Sequence, residues 1–326
     1  MSLSINALKS VKTVVSHRNC PDGVASALIL KDALPDARVL FMQHGTKEFV
    51  ELPAEPGMLF VDFTPLENRA EEFLRVRSQI LDHHPTQRDI TMKFVEAGLG
   101  VFGLNDKNEC GAWLAYTEVW KRFADEYDLS DDVGRAQVRN FAELAAVRDT
   151  WKTADPRWVE ACEQAALLLF FPFEDLHLAS FFDQDGDDYR LLGRVLIEKQ
   201  QQAARKSIGE ARRFTTSKGT RVLVFQGVST TSDAVEIEEQ FAEIGWATNL
   251  VVGFHYRVDA GKLTLQFSMR SHTGYDVGAL AKSKPSGGGH RAAASFTVEV
   301  SPELSSNPYA VFEALLEEWE WEGRDG

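Results

Sequence analysis

Seven side chains in the first half of the chain have types and spacing suited to metal or proton-transfer chemistry: His17, Asp22, Asp62, Asp82, His83, His84 and Asp149. The densest stretch is Gln79-Ile80-Leu81-Asp82-His83-His84-Pro85, in which an apolar pair runs into an acid and two adjacent histidines. A neutral imidazole is a strong nitrogen ligand and titrates near neutral pH, so this tripeptide suits metal binding or proton transfer better than packing. Alone, it also fits a solvent-exposed turn. Mixed nitrogen and oxygen donors without thiolate pairs suit manganese, magnesium or iron-type octahedral ions better than structural zinc. Two such ions sharing a carboxylate sit about 3.5–4 Å apart and stabilise charge developing at a phosphorus centre. Asp62 holds the position for that shared carboxylate.

The elements that would carry these residues alternate. Strands are read over 11–16, 39–42, 58–61 and 79–81, with helices after the first and third. The second helix is expected to start at Thr64-Pro65-Leu66-Glu67, a Ser/Thr-type cap with proline at the first position and glutamate three residues on. Such an order implies a parallel sheet covered on both faces, with ligands at the carboxyl ends of its strands. His17, Asp62 and the Asp82-His83-His84 group all fall at that edge. Three polar clusters at one edge outweigh the turn reading of any one of them.

Helices are expected over 111–128, rich in core aromatics, over 133–147, and over the apolar stretch 157–181. The second leads into Arg148-Asp149-Thr150-Trp151, where the acid also fits a solvated helix terminus. Asp183 to Asp188 reads as an acidic turn without the glutamate of a calcium loop. A long polar helix over 189–214 reads as a connector. Beyond it come strands over 221–228 and 249–258 with a helix over 233–243 between them, a strand over 263–270 and a short helix over 276–281. Pro285-Ser286-Gly287-Gly288-Gly289-His290-Arg291 is then expected to open a small alanine-rich helix before the strand 295–300 and a last helix over 308–321. Glycines let a backbone approach a ligand closely, and N–H groups at a helix start favour an anion. A plain glycine-rich hairpin is the alternative.

The formal charge of −14, from 35 basic and 49 acidic residues, argues against a long duplex nucleic-acid footprint. It leaves room for a small anionic substrate held by a few cations. Three widely spaced cysteines, Cys20, Cys110 and Cys162, suggest a reducing, cytoplasmic setting without structural disulfides. No signal-peptide pattern and no apolar run of membrane-span length is present, so no membrane partner is expected.

Together, His-x-x-Cys-Pro-Asp-Gly at 17–23, Asp62 at a strand end, Asp-His-His at 82–84 and Arg-Asp-Thr-Trp at 148–151 resemble the four motifs of the DHH phosphoesterase superfamily. Gly-Gly-Gly-His at 287–290, with Arg270 upstream, looks like the signature of the DHH-associated C-terminal domain. The resemblance implies an α/β fold: a parallel-sheet DHH domain over 1–186, a connector helix over 187–218 and a smaller α/β DHH-associated domain over 219–326. It implies a first ion on His17 and Asp62 and a second on Asp22, Asp62, His83 and Asp149, with Mn2+ expected and Mg2+ as the alternative. His84 would be the proton donor or oxyanion stabiliser, with Asp82 orienting a histidine. Arg270, Gly287, Gly288, Gly289 and His290 would hold a substrate phosphate or base. His272, two residues past Arg270, could line the same cleft or lie on the surface. The first motif commonly carries Asp-x-Asp, where this chain has Cys20-Pro21-Asp22; either the first site is looser or Cys20 joins it as thiolate.

The resulting expectation is a metal-dependent phosphodiesterase that releases nucleoside monophosphates from short single-stranded oligonucleotides or dinucleotides. Cyclic mono- or dinucleotides, polyphosphate and a catalytically silent nucleotide-binding module are the alternatives, and a homodimer stays open.

Overall fold

The structure is a computed structural model that describes residues 3–321 apart from 45, 129–130, 183–185, 228–230, 232–233, 236, 238–247, 260–261, 272–273, 285 and 302–305. The chain divides into two compact units, Met1–Ile197 and Glu198–Gly326.

In the first unit, β1 (Thr13–His17), β2 (Arg38–Met42), β3 (Met58–Val61), β4 (Gln79–Asp82) and β5 (Gly100–Phe102) form one sheet in the order β2-β1-β3-β4-β5. Every pair is parallel, with Val15 opposite Phe60 and Phe60 opposite Ile80. Strand residues alternate between two faces, and here both faces are apolar. Val14, Leu59, Val61 and Leu81 join one core cluster, while Val15, Met58, Phe60 and Ile80 join another. A period-2 sequence signal is therefore missing, as expected of a sheet covered on both sides.

The covering helices are α1 (Ile5–Lys9), α2 (Pro21–Ala33), α3 (Lys47–Val50), α4 (Ala70–Arg75), α5 (Arg88–Glu96) and α6 (Gly111–Leu114). A π-helical stretch, Ala115–Trp120, continues α6 into α7 (Lys121–Tyr127). Next come α8 (Asp132–Asp149), α9 (Trp158–Phe170) and α10 (Gly186–Gly209), the last running across the boundary between the units. Pro21 stands at the first position of α2, where its missing N–H costs nothing. The helix is buried from Asp22 to Leu30, packed against β1, α6, α8 and α9.

The second unit holds β6 (Arg212–Thr215), β7 (Arg221–Gln226), β8 (Leu250–Asp259), β9 (Lys262–Arg270), β10 (Gly288–His290) and β11 (Ala293–Glu299), with α11 (Val277–Lys282) and α12 (Pro308–Trp321). Its sheet runs β10-β11-β9-β8-β7-β6; β7 and β8 are parallel and the other neighbours antiparallel. Phe267, Phe296, Phe312 and Trp319 form part of its core, so α12 docks through its apolar face.

Several expectations are corrected. The capping box at 64–67 does not form: Thr64 makes no cap, and a 3-10 turn over Glu67–Arg69 precedes α4. Thr64 is instead fully buried, with its hydroxyl on Gln87. The element pair α5–β5 was not read from sequence. The apolar stretch after 157 is helical only to Phe170; Pro172 ends it, leaving two 3-10 turns. The connector begins at Gly186 and stops at Gly209, and 212–215 is a strand. No alanine-rich helix follows the glycine loop: β10 and β11 form a hairpin there. The helix over 233–243 and residues 183–185 of the acidic turn lie largely outside the described residues, and 186–188 of that turn belong to α10. No helix among the described residues is long and apolar enough to cross a membrane.

Candidate metal centre

His17 is the last residue of β1, Asp62 follows β3 directly, and Asp82 is the last residue of β4. Because the strands are parallel, all three lie at one edge. β2 lies beyond β1 and β4 beyond β3, so the chain departs to opposite sides between β1 and β3, the crevice where such sheets collect ligands.

The local backbone turns sharply to fill it. Asp62 has φ +52°, a left-handed conformation that aspartate tolerates better than most residues, and its N–H donates to Leu81 O at 3.0 Å. Asp22 lies in the first turn of α2, where the helix dipole favours an anion. Its two oxygens accept the N–H groups of Gly111 (2.7 Å) and Ala112 (2.8 Å) at the start of α6. A Cβ on Gly111 would lie 2.7 Å from Asp62 Cβ and 2.8 Å from Asp22 Oδ2, so this approach needs glycine. Asp149 ends α8, at the negative pole of the helix, where a carboxylate is disfavoured unless something else holds it. Its neighbours anchor that helix end: Arg148 stacks on Trp151 and Trp158 at 4.6 and 5.2 Å.

These residues converge on one nitrogen. His83 Nε2 lies 3.1 Å from Asp62 Oδ1, 3.5 Å from Asp22 Oδ2 and 3.7 Å from Asp149 Oδ2. His17 Nδ1 lies 3.7 Å from the other oxygen of Asp62, which places Asp62 between the two imidazoles. His84 Nδ1 is 2.8 Å from Asp82 Oδ1, and the second oxygen of Asp82 faces the Thr91 hydroxyl at 3.5 Å.

The electrostatics are those of an anionic cluster shut away from water. Burial, and then the charges of Asp62 and Asp149, raise the Asp22 carboxyl well above the usual range. Asp149 is raised by burial, and His83 pulls it back only in part. Burial also pushes Asp62 upward, but the adjacent imidazoles of His17 and His83 hold it well below its ordinary value. For His83, burial favours the neutral ring, yet Asp149, Asp62 and Asp22 together raise it well above the usual imidazole range. Three buried carboxylates around one imidazole can all ionise together only with added positive charge beside them.

A divalent ion fits this donor set. His17 Nδ1 and Asp62 Oδ2 are both buried without a hydrogen-bond partner. Ligand atoms of Asp22, His83 and Asp149 lie within 4.8 Å of one another, as do those of His17, Cys20 and Asp62. Carboxylate and imidazole donors are the chemistry of manganese, magnesium or iron ions. Cys20 thus stands beside the first group. Burial and the charges of Asp62, Asp149 and Asp22 keep its thiol protonated without a cation.

Some residues at the site had no signal in sequence. Gly111 and Ala112 act through backbone N–H groups, which residue type does not reveal. Cys110 is fully buried, and burial and the charge of Asp22 raise its thiol well above its ordinary value. His44 packs 4.3 Å from the Phe63 ring and 6.1 Å from that of His17. Burial, and then the charges of His17 and His84, lower its pKa to about 3.

In the second unit, Arg270 ends β9 and His290 ends β10, and both pair with Ala293 of the intervening β11. They therefore share one end of the sheet. Gly288 and Gly289 lie in β10, with Gly287 just before it, and Gly289 has φ +136°. The Arg270 guanidinium donates to Met269 O at 2.8 Å. With no helix after the loop, the anion-binding helix start expected at 287–290 is absent. His272 lies outside the described residues.

No protein-family model and no curated protein matches the sequence. Among solved structures, the DHH domain of a member of a family of ribosomal proteins superposes with a TM-score of 0.58 at 13% identity, over 96% of this chain and 87% of that one. RecJ from Thermus thermophilus, in complex with Mn2+, superposes with a TM-score of 0.50 at 17% identity, over 97% of this chain and 53% of that one. Sequence identity this low speaks for architecture alone. The five-stranded parallel sheet and the mixed sheet that follows it give this chain the α/β fold of these DHH-domain and RecJ structures.

Proposed function

We propose that the protein is a metal-dependent phosphoesterase, and that its substrate is the phosphodiester of a short single-stranded oligonucleotide or a dinucleotide. The observation that carries this reading is the convergence of Asp22, Asp62 and Asp149 on His83 Nε2 within 3.7 Å, with His17 on the far oxygen of Asp62. Asp22, Asp62, His83 and Asp149 would hold one divalent cation, and His17 with Asp62 the other. When bound, such ions activate water as a nucleophile and offset charge on the phosphoryl oxygens.

The chain's own residues supply the rest. Asp82, fully buried, accepts from His84 Nδ1 at 2.8 Å and fixes the ring. In this reading His84 would donate a proton or a hydrogen bond to the reacting phosphate. Burial alone would favour a neutral His84, but the Asp82 charge and hydrogen bond raise its pKa, in keeping with a donor. Arg270 and His290 are assigned to a substrate phosphate in this reading. The formal charge of −14 favours a small substrate over a long polyanion. A reducing, cytoplasmic setting belongs to the same proposal.

A silent nucleotide-binding module is the second reading, favoured by Cys20 at a position where a neutral thiol weakens the first ion site. The deciding experiment incubates purified protein and Mn2+ with diadenylate, longer RNA and DNA, cyclic dinucleotides, 3′-phosphoadenosine phosphate and polyphosphate, and analyses the products. Mononucleotide release from the shortest linear substrates, abolished in His83→Ala, is expected. Inactivity on the whole panel with Mn2+, Mg2+ and Co2+ would leave the silent module.

A further inference from the structure

The donors around Asp62 fall into two groups, and only one of them holds sulfur. Asp22, His83 and Asp149 offer oxygen and nitrogen atoms, whereas His17, Cys20 and Asp62 offer nitrogen, sulfur and oxygen, each set within 4.8 Å. Asp62 faces both groups, with Oδ1 towards His83 and Oδ2 towards His17.

Oδ2 is the informative atom. Asp62 is 1% exposed, and this oxygen is buried without a hydrogen-bond partner, as is His17 Nδ1 at 3.7 Å from it. Two donors on one ion, with bonds of about 2.0–2.2 Å, span such a distance. Cys20 is the third donor of this group, and the chain holds it there. It is the N-cap of α2, at the positive pole of the helix, which favours a thiolate. The short loop that carries it is pinned at both ends. Arg18 N–H donates to Met42 O at 2.8 Å, and the Ser16 hydroxyl donates to Gly23 O at 2.7 Å. A Cβ on Gly23 would lie 2.5 Å from His17 O, so the start of α2 is drawn tightly onto the end of β1. Cys110 packs in the apolar core of the first unit, whereas Cys20 is half-buried, within reach of an ion arriving from solvent.

We propose that the His17–Cys20–Asp62 group is a thiolate site for a borderline-soft divalent cation of the Zn2+ or Co2+ class, while the oxygen-rich Asp22–His83–Asp149 group takes a harder ion, Mn2+ or Mg2+. This rests on the metal-centre reading above and deepens it: the two ions of the centre differ chemically. Thiolate and imidazole beside one carboxylate select the first class, and carboxylates around one imidazole the second. On binding, the Cys20 S–H bond breaks, a metal–sulfur bond forms and the proton leaves to solvent.

Co2+ is the probe, titrated into the metal-free full-length protein and followed by absorption and calorimetry. A sulfur-to-cobalt charge-transfer band in the near ultraviolet is expected, saturating with a single equivalent of Co2+. Zn2+ should displace the band, and Mn2+ should need at least about tenfold more to do so. Cys20→Ser should remove the band. Cys20→Asp, which puts a carboxylate in its place, should also remove it while Co2+ binding by calorimetry is kept. Co2+ binding without the band in the wild type overturns the proposal and leaves the metal-centre reading standing; no Co2+ binding at all overturns both. A band that survives Cys20→Ser puts the sulfur elsewhere and overturns the proposal too. A band in a protein inactive on the whole substrate panel supports the proposal and sinks only the phosphoesterase reading.

Discussion

Asp62 and His44 show how differently two residues of one site depend on their surroundings. Asp62 is the carboxylate common to both imidazole groups, and no neighbour can replace it at that strand end. Asp62→Asn keeps the shape and removes the charge. Mn2+ binding measured by calorimetry is expected to disappear, and hydrolysis to fall by about 10³-fold or more. Asp82→Asn should behave otherwise: it unfixes the His84 ring, so kcat drops about 10–100-fold while Mn2+ affinity is nearly kept. Equal loss of both would mean that Asp82 serves the ions directly. His44 is a question of stability. Its pKa in the folded protein is about 3 against an ordinary 6.5, chiefly through burial. Between those values the unfolded chain binds a proton that the folded chain does not, so stability falls as the pH is lowered from 6.5 towards 3. Above 6.5 the residue contributes nothing to this slope. The effect is at most about 5 kcal/mol, and the ring's partial exposure trims it. Urea midpoints of the metal-free protein across this range should be flatter in His44→Phe; an unchanged profile would show that other groups set the acid limb.

At the scale of elements, the start of α6 does what no side chain there could do. Its first two N–H groups hold Asp22, and Gly111 lets the backbone come within contact of Asp62. Gly111→Ala is expected to destabilise the fold by about 1–3 kcal/mol and to weaken Mn2+ binding together with it, read by thermal melts and calorimetry. Retained binding at reduced stability would show that the cluster tolerates a displaced Asp22. The four apolar strands β1 to β4 were legible because a parallel sheet buried on both faces is written as continuous Val, Ile, Leu and Phe. β5 was not, because its three residues, Gly100–Phe102, are too few to carry a pattern. The capping box at Thr64 failed for a related reason. A Thr-Pro-x-Glu signature is local, and burial of Thr64 against Gln87 overrides it. The glycine loop followed its hairpin alternative: Gly288 to His290 pair antiparallel with Ala293 to Ser295, and the chain turns at Arg291-Ala292.

For the whole molecule, the charge of −14 sets an outer bound on what it can hold. Extending a substrate from a dinucleotide to a long single strand should gain little affinity, and duplex DNA should not bind saturably in a filter assay at physiological salt. Tight duplex binding with a steep salt dependence would require a basic track that this composition does not provide. Sequence alone settled which residue types stand at the strand ends, because donors such as His17, Asp62 and Asp82-His83-His84 follow apolar runs that can only be buried strands. It also carried the order of those runs, and with it the α/β class. Only the tertiary structure decided that residues as far apart as Asp22, Asp62 and Asp149 meet at one imidazole nitrogen. Only there, too, do backbone N–H groups of Gly111 and Ala112 hold Asp22. Chemical type is a property of each residue, whereas distance between residues is set by packing of the whole chain, and backbone donors are the same at every position until a fold aims them.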